Sequence, residues 1–352
     1  MSSPTAAKVS IPHTVRTAAE PRQNRLFTVR ISHIEEVNPT VRVLQLAIPS
    51  RVQDPGLPDE IGEGEEANTG QLEPLTFFPG QWLDVHITSV ANAGGFSITS
   101  TPADAQVLPS LEPSPELAPT EEAEIIPMNP HGREPYLELA VQKAPSNPAS
   151  MWLWRPKEEI LGKELSVRVG GSFVWPPSNV KLEDIRNVAF VTGGMGINPI
   201  ISILSHLNNN DETTGVFHPS LNIHVLYSSK LPDAATQESA LNQIPFFPRL
   251  REIVRSRLRS PRLHVTLELF LTNINNHSPS LSTPDPQDLT IHPRRINQGD
   301  LRRATYGPDS QFSPNETVCY VCGPPRMTDE VVDSLSDLLN GERDRIYFEK
   351  WW

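Results

Sequence analysis

The chain has little cysteine, no long apolar run and a deficit of basic charge, and each shortage excludes something. Two cysteines in 352 residues rule out a disulfide framework. They also leave too few thiolates for the chain to hold its own cysteine-ligated iron–sulfur cluster. Cys319 and Cys322 form a C-x-x-C, but it lies in a run that reads as a strand. Residues three apart on a strand point to opposite faces, so the pair is read as structural and not as a metal site. No apolar stretch approaches the roughly 20 residues of a membrane-spanning helix. With 42 acidic against 30 basic side chains the net charge is −12, and no basic stripe stands out, so nucleic acid is not expected as a partner. There is no Gly-Lys-Ser/Thr of a P-loop. No acid–base or nucleophilic constellation stands out either.

Proline, by contrast, is abundant. The 36 prolines cluster in connecting segments and predict much loop. Two stretches, 49–74 and 103–134, are acidic or proline-rich and read as exposed insertions in a first domain spanning 26–178. Within that domain Leu26 to Ile34, Thr40 to Ile48, Tyr136 to Gln142 and Leu165 to Val169 read as antiparallel strands, and Phe78 to Ile87 as a turn and a further strand. Asn147-Pro148 reads as the cap and first residue of a short helix. Residues 1–25 carry Lys8, Arg16, Arg22 and Arg25 against one acid, Glu20, which fits either a disordered tail or a transit peptide.

The second domain, 185–352, alternates strands and helices, which implies a five-stranded parallel sheet with a polar insertion at 273–299. It is organised around Val188 to Leu204. A buried strand runs into Gly193, Gly194, Met195, Gly196, Ile197 and Asn198, and Pro199 opens a helix. The free N–H groups at such a helix start suit a pyrophosphate. Pro199 stands where the third glycine of G-x-G-x-x-G would be, and a tight turn without ligand is an equal reading of the glycines alone. A second strand–turn–helix, Val318 to Val331, places Cys322, Gly323 and Pro324 at another strand end. Two such turns would frame one crevice if they met where strand order reverses. Tyr227-Ser228-Ser229-Lys230 ends a neighbouring strand, where a carboxylate would favour NAD and a cation the 2′-phosphate of NADP. No acid follows that strand, and Lys230 is the available cation.

Thr192-Gly-Gly-Met-Gly-Ile-Asn-Pro199, Cys322-Gly-Pro-Pro325 and the closing Tyr347-Phe-Glu-Lys-Trp-Trp352 together resemble the ferredoxin–NADP⁺ reductase superfamily. Within it they are most like the group of oxidoreductase NAD-binding domain-containing proteins. The resemblance implies an N-terminal antiparallel flavin-binding β-barrel before the parallel-sheet domain, with FAD and NAD (or NADP) as cofactors. It implies a mitochondrial setting. By position Phe96 would pack on the flavin, Ser97 would reach its hydride-accepting nitrogen, and Ile98 and Thr99 would be further cofactor-binding residues of the same motif. Ser150 would stand near the flavin pyrophosphate, and Trp352 or Trp351 would lie on the flavin ring. Two departures concern the flavin phosphates: Gly94 replaces an arginine and Asn147 a glycine. Arg168 is a substitute cation or a solvated strand arginine. The function implied is hydride transfer from NAD(P)H to FAD, with electrons passing to an acceptor outside the chain. Two alternatives accompany it. One is a flavin-less nucleotide-binding or interaction module of the same fold. The other is a reductase component for a separate haem or iron–sulfur protein.

Overall fold

The computed structural model describes residues 11–49, 74–106, 134–213, 220–234, 236–257, 262–274 and 289–351. Most of the two insertions expected in the first domain, and Trp352, lie outside these.

Six strands build the first domain: β1 (Phe27–Asn38), β2 (Val41–Ala47), β3 (Trp82–His86), β4 (Gly94–Ser97), β5 (Tyr136–Gln142) and β6 (Glu164–Gly170). Their order is β4-β3-β6-β1-β2-β5, every pair antiparallel. The two edges meet, because Ile98 bridges Leu139 and Thr99 N donates to Glu138 O. The barrel is thereby closed, which removes its open edges. Leu44, Leu46, Leu83, Val85, Leu137 and Val167 fill it.

Ahead of the barrel, α1 (His13–Arg16) is a single short turn. Residues 11–25, expected as a tail, are packed on the barrel: Gln23 N donates to Val169 O and Gly171 N to Pro21 O. Two more short helices, α2 (Pro148–Leu153) and α3 (Lys157–Ile160), link β5 to β6.

The second domain runs β7 (Asn187–Gly193), α4 (Ile197–Thr213), β8 (Leu221–Ser229), α5 (Gln237–Asn242), α6 (Phe247–Arg257), β9 (Leu263–Leu271), β10 (Thr290–His292), α7 (Gln298–Tyr306), β11 (Thr317–Gly323), α8 (Pro325–Leu338) and β12 (Ile346–Lys350). Its parallel sheet has the order β10-β9-β8-β7-β11-β12. The five expected strands are all present, and β10 adds a sixth inside the stretch read as a polar insertion. Three residues, with Pro293-Arg294 following, are too short to show a strand period. Every residue of β7 and β11 is buried, as strands covered on both faces should be. Ile200, Ile203 and Leu204 press α4 onto the sheet.

The two domains share one apolar cluster, in which Val41, Val43, Phe173 and Trp175 of the barrel meet Ile197, Ile201 and Tyr320. Polar bonds cross the same seam. Asn198 Nδ2 donates to Ala140 O (3.0 Å), Ser202 Oγ to Ser100 O (2.7 Å) and Tyr320 OH to Val174 O (2.8 Å). Arg249 reaches Glu138 through both terminal nitrogens, at 2.9 and 3.1 Å.

Candidate functional site

Strand order reverses between β7 and β11, so the two glycine turns stand side by side at the switch point. Thr192 is in register with Cys322, and Gly193 with Ser228 on the other side. The contact between the turns is backbone on backbone. A Cβ on Gly196 would stand 2.1 Å from Cys322 O, and one on Gly193 2.5 Å from Met327 Sδ. Gly194 is different: it takes φ +55° and faces open space, which leaves its backbone free to meet a ligand. Tyr227, fully buried, holds the Gly194 carbonyl through its hydroxyl at 3.3 Å. Lys230 is exposed just past β8, and Pro324 is exposed at the head of α8.

Not every residue of the first turn faces the crevice. Ile197 is fully buried in the domain seam, and Met195 packs against the same cluster. Asn198, expected with the nucleotide, donates across the seam to the barrel instead, and its Oδ1 is buried without a partner. A helix start read in isolation gives no hint that a second domain lies against it.

Cys319 and Cys322 do point to opposite faces. Cys319 joins the cluster under α8, and Cys322 joins the seam cluster. No metal-ligating cluster occurs among the described residues. Burial pushes the Cys322 thiol well up, and Glu349 beside it adds to the rise. Glu349 is in register with Cys322 and was not singled out from the sequence. Burial raises its carboxyl to about 8; the Trp351 indole pulls the other way and Glu20 adds to the rise. Glu349 Oε2 and Trp351 Nε1 are buried without hydrogen-bond partners among the described residues, as is Thr192 Oγ1 two strands away from Glu349. Trp351 N donates to Gly323 O, which ties the chain end to the second turn. The signal for Glu349 was available: it is the one acid among Tyr347, Phe348 and Trp351 in a final strand.

The raised carboxyl has a stability consequence. A folded value above the ordinary 4.5 means that the group's contribution is fully present below about 4.5 and is lost as pH rises through about 8. Urea midpoints measured from about pH 5 to pH 8 should fall for the natural chain, and Glu349→Gln should flatten that fall. An unchanged slope in the variant would show that the carboxyl titrates normally.

On the barrel side the expected flavin contacts are engaged elsewhere. Phe96 is 8% exposed, belongs to the barrel core and folds over Gly94. Ile98 and Thr99 close the barrel, Thr99 Oγ1 donating to Glu138 Oε1 at 2.8 Å. Ser150 Oγ donates to Gln142 O (2.7 Å) and accepts from Ala144 N (3.0 Å). Asn147 Oδ1 accepts from Ala149 N and Ser150 N, so the N–H groups of that helix start are met by its own cap. Arg168 is not a solvated cation; it donates to buried Asp84 Oδ2 at 2.8 and 3.1 Å. At Gly94 an added Cβ would meet Ala149 and Phe96 at 2.6 Å, so there is no room for an arginine. Ser97 is buried and forms no side-chain hydrogen bond with the described residues. These residues do not fit an FAD held by its phosphates as the resemblance implies.

Known proteins place the fold. The chain is 28% identical over 341 residues to the Danio rerio protein named oxidoreductase NAD-binding domain-containing protein 1, covering 97% of each. It is 27% identical to the Homo sapiens protein of that name, covering 97% of this chain and 84% of that one. No protein-family model matches. Among solved structures, an Amycolatopsis cytochrome P450 reductase aligns at TM-score 0.55 and 16% identity, over 94% of this chain and 70% of that one. A ferredoxin NADP⁺ reductase from Neisseria gonorrhoeae, solved with FAD and NADP, aligns at 0.55 and 14% over 94% and 100%. The resemblance read from the two glycine turns and the closing segment is borne out, and the architecture is that of the ferredoxin reductases.

Proposed function

We propose that this chain binds a nicotinamide dinucleotide between β7 and β11 and works as an NAD(P)H-dependent oxidoreductase. The observation that carries this reading is the pair of packed glycine turns at the point of strand-order reversal. The pyrophosphate would lie over Gly194 at the start of α4, where backbone N–H groups and the helix dipole favour an anion. Ser228 and Lys230 would flank the adenosine end, and Cys322, Gly323 and Pro324 the other. When bound, the nicotinamide supplies a hydride from its C4. The chain's residues hold and shield it: Cys322 stays a neutral thiol, Glu349 carries a proton near neutral pH, and Trp351 covers the end of the crevice. The names of the relatives, as oxidoreductases, support the class of reaction.

A second reading is favoured by specific observations. Asn147's cap and the closed space at Gly94 support a nucleotide-binding module with no resident FAD. Service to a haem protein is the third, supported by neighbours named as P450 reductase and flavohemoglobin.

NADH and NADPH titrations followed by tryptophan quenching test the crevice, and an absorption spectrum after dialysis with FAD tests the flavin. Saturable binding is expected, weakened about tenfold or more by Gly194→Val, because a β-branched residue at φ +55° is strained and would fill the open face. If neither nucleotide binds, the proposal fails. Retained FAD that bleaches with NADH would establish the flavin reductase.

A further inference from the structure

The hydroxyl of Tyr227 is buried between two turns of the chain. The side chain has no exposed surface. Tyr227 is in register with Thr192, so it stands beside the end of β7, where the first glycine turn begins. Its hydroxyl lies 3.3 Å from Gly194 O and 3.4 Å from Pro245 O. A phenol has one proton to donate, so the two carbonyls share it. Burial raises the phenol pKa well above its ordinary value, with the Ser229 hydroxyl pulling the other way, so the group stays a donor at neutral pH.

The two carbonyls are held very differently. Pro245 precedes Phe246, a buried residue kept at φ +58°. That conformation is costly for any residue with a Cβ. The segment keeps it while tied to the barrel on either side: Asn38 Nδ2 donates to Gln243 O at 2.9 Å, and Arg249 bonds Glu138. Pro245 O is therefore a fixed point. Gly194 is the opposite case. It is exposed, sits at φ +55° and has open space where a Cβ would be. Ile197 N divides its proton between Gly194 O and Met195 O, which is a loose hold. A glycine so placed lets the peptide that joins it to Met195 turn over at little steric cost.

The direction of that peptide decides what the crevice offers a ligand. In a trans peptide the C=O and the following N–H point opposite ways. With Gly194 O turned in to the buried phenol, Met195 N–H is turned out. That N–H belongs to the first turn leading into α4, whose donors have no partner within the helix. A reversed peptide would present a carbonyl oxygen to the anion instead.

We infer that Tyr227 is a positioning residue for the dinucleotide: its hydroxyl holds the Gly194–Met195 peptide with the carbonyl inward, so that Met195 N–H faces the pyrophosphate. An anion on that N–H polarises the peptide and makes Gly194 O the better acceptor, which draws the phenol proton away from Pro245 O. The inference rests on the crevice proposed above.

The test compares the full natural chain with Tyr227→Phe, which removes one oxygen and keeps the buried ring. NADH and inorganic pyrophosphate are the probes, and amide NMR shifts are followed at Met195 and Gly323. The variant is expected to bind both probes about fivefold more weakly, the worth of one hydrogen bond. In the natural chain NADH should shift both amides. In the variant, at saturating NADH, the Met195 response should shrink while Gly323 keeps its own, a difference that a general loosening of the fold would not produce. Equal NADH affinity in the two chains overturns the brace. So does a natural chain that binds NADH with no shift at Met195. A natural chain that binds no NADH overturns the crevice itself, so the two failures are told apart. Should Tyr227→Phe not fold, the Met195 shift in the natural chain with NADH and with pyrophosphate decides alone.

Discussion

Asp84→Ala is expected to cost about 3 kcal/mol of stability, the largest loss from any single polar side chain considered above. Asp84 has no exposed surface and sits mid-strand in β3, opposite Arg168 in β6. Its Oδ2 accepts from Arg22 Nε at 2.9 Å and from Arg168 Nη2 at 2.8 Å. One carboxylate thus serves two guanidinium groups, and Arg22 also lies over the Trp82 ring at 4.8 Å. Removing one partner of a buried pair typically costs about 3–5 kcal/mol, because the remaining charge is stranded. Here the stranded side chains keep 14% and 30% of their surface, so water offsets part of the loss and the lower figure applies. Asp84→Asn keeps the shape and an acceptor and should lose less. Urea denaturation of the three chains decides the matter, and a loss for alanine under about 1 kcal/mol would show that the arginines are satisfied by solvent. The same variant should loosen the N-terminal segment, which Arg22 ties to Asp84.

The parts of this protein that were legible in the sequence are those encoded within a few residues. The strand–glycine–helix units at Val188 and Val318 announce themselves, because apolar runs, glycines and prolines act locally. Their meeting at one switch point follows once a parallel sheet is assumed. The Asn147 cap was equally visible. Its consequence, that the cap satisfies the N–H groups a phosphate would need, emerged only with the bonds to Ala149 and Ser150. Less could be read where partners are far apart. Arg22 and Arg168 lie 62 and 84 residues from Asp84, and His13 meets Trp351 from the opposite end of the chain. Pro12 and Pro21 break the helical pattern around His13, so the segment reads as a tail although it packs on the barrel. Asn198 and Thr99 have partners that the sequence did not announce, for a related reason. Each sits in a motif that points to a cofactor, but in this chain the domain seam and the barrel closure claim their side chains first.

Gly196→Ala separates the two roles of the glycine turn, fold and ligand. A Cβ there would lie 2.1 Å from Cys322 O, 2.4 Å from Cys322 C and 2.8 Å from Gly323 N. All three neighbours are backbone, so no side chain can rotate away, and β11 or α4 must move as a unit. Overpacking of a core costs about 1–3 kcal/mol where side chains can adjust, and the upper end is expected where they cannot. The same movement would part the turns that frame the crevice, so nucleotide affinity should fall about tenfold or more in whatever fraction stays folded. Gly194→Ala makes the contrast. Nothing lies within 4 Å of its added Cβ, and only the φ of +55° opposes it, a cost of about 1–2 kcal/mol per residue. Gly194→Ala should therefore lower the urea midpoint only by that backbone cost while weakening NADH, and Gly196→Ala should lower the midpoint further and lose NADH affinity as well. A Gly196→Ala chain with the natural midpoint and natural NADH affinity would mean that the turns do not touch in solution, and the crevice would have to be sought elsewhere on the sheet.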